Sequence, residues 1–99
     1  MKQQEKIEKL AKEVMEWPKD WLDREIKVWN PYGSWNDAGM ILEKATNWIL
    51  SMDGDGRIHC TISFKPPPYL GAWGRGDALT AQEAISEAAL KTLYSEGSK

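Results

Sequence analysis

The chain has 99 residues, 41 % hydrophobic and 28 % charged, with a formal net charge of −2. This balance predicts one folded α+β domain over residues 1–99 and argues against a nucleic-acid polymer as partner. One cysteine, Cys60, excludes an internal disulfide and a multi-cysteine metal site, and no window approaches the roughly 20 apolar residues of a membrane span.

The opening MKQQEKIEKLAKEV lacks a long apolar run and does not read as a secretory signal, so a reducing cytoplasm is expected. Gln3 to Glu16 predicts a helix, with Ile7, Leu10, Ala11, Val14 and Met15 on one stripe. Trp17-Pro18 ends it, because a residue before proline avoids helical backbone. Asp23 to Trp29 alternates and predicts a short strand, with Ile26 and Val28 facing the core. Asn30-Pro-Tyr-Gly33 is a turn, and Ser34 or Asn36 caps a second helix expected to run to about Met52. Its stripe is Ala38, Ile41, Leu42, Ala45, Trp48, Ile49 and Met52.

Asp53-Gly-Asp-Gly56 stops that helix. Arg57 to Lys65 then alternates cleanly, with Ile58, Cys60, Ile62 and Phe64 on one face and His59, Thr61, Ser63 and Lys65 on the other. Pro66-Pro67-Pro68 closes this strand. Tyr69 to Ala78 holds a third strand broken by glycines, and Thr80-x-x-Glu83 is a capping box for a last helix. Ala84, Ile85, Ala88, Ala89 and Leu93 form the inner face of that helix, and Ser95 to Lys99 read as a frayed tail. The expected order is α-β-α-β-β-α: a small, mostly antiparallel sheet with helices packed on it.

Few residues carry chemistry. Ser51 to Ile62 has the acids and glycine of a calcium loop but isoleucine where the closing glutamate belongs, so it reads as a tight turn. His59 is the only histidine, Cys60 lies on an apolar strand face, and no nucleophile context is present. Nothing here points to an enzyme, a cofactor or a metal. The segment Gly71-Ala-Trp-Gly-Arg-Gly-Asp77 reads two ways. As an anion loop, Gly74 and Gly76 offer backbone amides, Arg75 a planar fork and Trp73 a stacking face, with Thr80 at the following helix start. As plain structure, it is a bulge or hairpin turn. Trp29, Tyr32 and Trp35 likewise form either an aromatic cage or a staple that holds a turn to the core.

Trp29, then Pro-Tyr-Gly-Ser-Trp-Asn-Asp-Ala38, the stretch bearing Trp48, the following strand, and Ala78-x-Thr80-x-x-Glu83-Ala-Ile-x-x-Ala88-Ala-Leu-Lys91 together resemble the phage ABA sandwich domain family. The resemblance spans Trp17 to Leu93. It implies a small phage or prophage protein in the cytoplasm of an infected bacterial host, with helices on both faces of an antiparallel sheet, and it supplies no catalytic residues. By analogy with small non-enzymatic phage proteins, the expected function is sequestration of a nucleotide-derived immune signal of the cyclic nucleotide or cyclic ADP-ribose type. The expected binder is a homo-oligomer, with Trp73, Trp35 and Tyr32 stacking on bases and Arg75, Gly74, Gly76 and Thr80 holding phosphate. The alternative is a protein–protein interaction module that inhibits a host factor and takes no small ligand. A flat apolar patch would favour that second reading.

Overall fold

The computed structural model describes residues 2–64 and 73–97. The Pro66-Pro67-Pro68 stop, the start of the third strand at Tyr69, Gly71 and residues 98–99 lie outside the described residues. The first helix, α1 (Gln3–Lys9), runs into a π-helical stretch, Leu10–Val14, which buries Leu10, Ala11 and Val14. Glu16 closes it in left-handed backbone at φ 55°, and the Trp17 N–H reaches back to the Ala11 carbonyl at 3.2 Å. That bond spans six positions, one more than the five of a Schellman motif, as suits the wider π-helical turn, and it satisfies an orphaned helix carbonyl.

Residues 23–29 are not a strand. Pro18 is the N-cap of α2 (Lys19–Glu25), and a turn follows. The alternation was a coincidence of period. Leu22 and Ile26, four apart, pack against the core, whereas Val28 is 72 % exposed and Trp29 is buried. The second predicted helix is also shorter than expected. α3 spans Trp35–Lys44 and ends at Ala45, whose backbone is extended. Of the two candidate caps it is Ser34 that acts: its hydroxyl accepts the Asp37 N–H at 3.4 Å.

Residues 47–52, read as the end of that helix, form β1 (Asn47–Met52). Asp53-Gly-Asp-Gly56 is then the turn of a hairpin, with Gly56 at φ 89° and the Asp53 N–H bonded to the Arg57 carbonyl. β2 (Ile58–Ser63) pairs antiparallel with β1 on one side and with β3 (Trp73–Ala78) on the other, giving the order β1-β2-β3. Three cross-strand rows face the helices: Trp48–Ile62–Gly74, Leu50–Cys60–Gly76 and Met52–Ile58–Ala78. The opposite rows are Asn47–Ser63–Trp73, Ile49–Thr61–Arg75 and Ser51–His59–Asp77.

The last helix, α4 (Ala81–Gly97), begins as the capping box predicts, with the Glu83 N–H donated to the Thr80 hydroxyl at 3.2 Å, and it continues through residues 95–97. It packs on β3 and β2 on one side and on α3 and the π-helical stretch on another. Ala84, Ile85, Ser86, Ala88, Ala89, Leu90 and Thr92 are all buried, so α4 is enclosed almost all round. The class is therefore α+β, with an antiparallel sheet on which a helix packs. The element order is α-α-α-β-β-β-α, in place of the expected alternation. Among the described residues the layers are sheet, α4 and outer helices, all stacked to one side of the sheet. None of the described helices is long and apolar enough to cross a membrane.

Candidate functional site

Gly74 and Gly76 sit in β3 and not in a loop. Their missing side chains let α4 lie against the sheet. A Cβ on Gly76 would come 2.6 Å from the Ala88 nitrogen, and one on Gly74 would come 2.8 Å from the Thr92 nitrogen. The Gly-Arg-Gly pattern is thus a packing device: two buried glycines with Arg75 between them on the other face. This corrects the loop expectation and leaves Gly74 and Gly76 beneath a helix.

On the face of the sheet opposite α4, charge is concentrated around His59. Its Nδ1 meets an Asp77 carboxylate oxygen, and its Nε2 lies 2.6 Å from Asp53 Oδ2. Arg75 Nε donates to the same Asp77 oxygen at 3.2 Å. Hydrogen bonds to Asp77 and then to Asp53 raise the His59 pKa from its ordinary 6.5, and the bond from His59 is the main cause of the lowered Asp77 pKa. When His59 is protonated it balances one carboxylate and Arg75 the other, and the four side chains then sum to zero. Both ring nitrogens are occupied, which suits an electrostatic staple between strands better than a free acid or base. Among the described residues, no group of three or more His, Cys, Asp or Glu side chains could hold a metal ion. The Cys60 thiol is fully buried, and burial pushes its pKa up to about 11, which makes it a core group and not a nucleophile.

The structure divides the expected ligand residues. Trp73 and Arg75 share the open face of the sheet. Tyr32 lies on the helical side, where its hydroxyl donates to Glu87 on α4 at 2.6 Å. Lys6 reaches the same carboxylate oxygen at 3.1 Å. Burial works to raise the Glu87 pKa, but these two donors outweigh it and hold the group below its ordinary value. Trp35 opens α3 and is half exposed, and Thr80 caps α4. These residues do not converge on one pocket.

Strand β1 was missed. Trp48, Ile49 and Met52 are 47, 62 and 68 % exposed on what is, among the described residues, an edge strand, and its segment, Asn-Trp-Ile-Leu-Ser-Met, carries no charge and no proline. A shallow apolar groove beside it is lined by Leu50, Met52, Ile58 and Ala81. The signal was available: an uncharged run, a Gly-rich turn and a second alternating run make a hairpin pattern. No protein-family model, curated protein or solved structure matches the chain.

Proposed function

We propose that the protein is a non-catalytic interaction module that docks a protein partner along β1. The observation that carries this reading is the exposure of Trp48, Ile49 and Met52 on an edge strand. Edge strands of folded proteins are usually shielded by charge, proline or a bulge. β1 has no charge or proline, and its pairing with β2 is continuous over six residues. A strand added at this edge gains ladder hydrogen bonds and covers apolar side chains on both faces.

β1 is also complementary to itself. Antiparallel pairing about a two-fold axis through Leu50 sets Trp48 against Met52 of a second copy on the α4 side. On the open side it sets Ile49 against Ser51. This register supports a two-fold homodimer. On the resemblance to the phage family, the alternative partner is a protein of the infected host that offers its own sheet edge. Sequestration of a nucleotide signal draws less support, because Arg75 is already paired with Asp77 and the two glycines lie under α4.

The test is light scattering of the wild type and of Ile49→Lys, joined to photo-crosslinking from position 49 in cells. We expect a wild-type dimer, or a discrete crosslinked partner, and a folded Ile49→Lys variant that loses it. A wild-type monomer at all concentrations without a crosslinked adduct would overturn the reading. A nucleotide released by heating both proteins would return it to signal sequestration.

A further inference from the structure

Three tryptophans meet at one groove away from the sheet. Trp17 follows the π-helical stretch, Trp21 lies on α2 and Trp29 follows α2. The Trp17 ring lies 6.3 Å from Trp21 at 70°, and 4.9 Å from Trp29 at 59°. Rings set at such angles form walls and not a stack. Trp29 is buried and Trp21 is 42 % exposed, so the groove has a closed end and an open side. Glu25, Val28, Asp37 and Met40 complete it, around a volume of about 130 Å³. That is far below the roughly 300 Å³ at which drug-sized ligand sites begin.

We propose that this groove binds a quaternary ammonium group. Indole faces are negative and attract a cation. Two carboxylates add charge of the right sign. One of them, Asp37, already accepts the Asn30 N–H at 2.7 Å, which fixes its position. An indole N–H donates and cannot accept, so a cation that carries N–H groups has only Glu25 and Asp37 to donate to, and Asp37 already accepts the Asn30 N–H. A cation covered in methyl groups needs none, and it loses little hydration on entry. The chain already shows the attraction: the Arg24 guanidinium lies 5.6 Å from the centre of the Trp21 ring. Choline-like metabolites and a trimethylated lysine on a protein present the same group.

The test is a titration of the whole protein followed through its tryptophan indole N–H signals by NMR. Choline is the probe, and 3,3-dimethylbutanol is its neutral twin of the same shape. We expect choline to shift Trp17, Trp21 and Trp29 while Trp35, Trp48 and Trp73 stay still, with the neutral twin roughly tenfold weaker. Methylguanidinium should also bind more weakly than choline. Trp21→Ala should abolish binding, and Glu25→Gln, which keeps the shape, should weaken it several-fold. A trimethyl-lysine peptide that binds more tightly than choline identifies the source as a protein, and equal binding identifies a small metabolite. Equal shifts by the neutral twin, shifts confined to the other tryptophans, or no shift with choline would each overturn the proposal.

Discussion

The two edge strands of the sheet meet their surroundings in opposite ways. β3 presents Gly74, Gly76 and Ala78 to the helical side, and α4 lies so close that an added Cβ would strike its backbone. β1 presents Trp48, Leu50 and Met52 in the matching rows; Leu50 is partly buried against the core, while Trp48 and Met52 are exposed. Small residues draw the helix down at the β3 edge, and at the β1 edge Trp48 and Met52 stand exposed. Packing of the monomer is concentrated on β3 and β2, which leaves β1 to satisfy its apolar surface by other means.

The sharpest way to break this contrast is Gly76→Ala. On β3 one methyl group should destabilise the fold by about 3 kcal/mol, the upper end of overpacking, because the obstacle is backbone and not a side chain that can swing away. Urea unfolding measures it, and a loss under 1 kcal/mol would mean that α4 can slide.

Acidity should give a smaller effect, from the groups that hold the covered half together. Glu87 and Asp77 have lowered pKa values in the fold, so their contributions are present above about pH 4.5 and 3.8, their ordinary values, and fade as the pH falls through the lower folded values. His59 runs the other way. Its contribution is full below pH 6.5 and is lost as the pH rises through its higher folded value. Stability should therefore pass through a plateau on the acid side of neutrality. His59→Gln should flatten the alkaline slope and leave the acid one in place through Glu87, as unfolding curves across pH would show.

The smallest effect is expected on β1. Ile49→Thr keeps a β-branched side chain at a position that is 62 % exposed, so monomer stability should change by no more than about 0.5 kcal/mol. A larger loss measured on the monomer would mean that β1 is already covered within one chain.

The parts of the fold that were legible were those fixed by local chemistry. The Ser34 and Thr80 caps, the Cys60–Ile62 face and the alanines of α4 could be read because capping and periodicity act within a few residues. Trp48, Ile49 and Met52 satisfied a helical period, yet they belong to a strand, because β2 takes a partner through the hairpin turn. That choice is made by tertiary pairing, which periodicity cannot see. Asp23 to Trp29 failed for the opposite reason: a short run offered period two by accident, while Lys19 to Glu25 had the makings of a helix. The role of Gly74 and Gly76 was hidden because a glycine that admits a ligand and one that admits a helix look alike in sequence.

The enclosure of α4 bears on the order in which the molecule can assemble. Both neighbouring layers pack on this one late segment: Lys6 bonds to Glu87 across 81 positions, and Ser86 donates to the Pro31 carbonyl across 55. A ribosome that has released only the first eighty residues has delivered the outer helices and the strands without the element that joins them. Ile7, Leu10, Ile41 and Ile62 then have little to bury against, and the uncharged β1 hairpin is open to other nascent chains. Contacts so distant in sequence slow folding. The interval before α4 arrives is therefore the time at which this protein is most exposed to aggregation, and the strand that we assign to partner binding is the one most at risk.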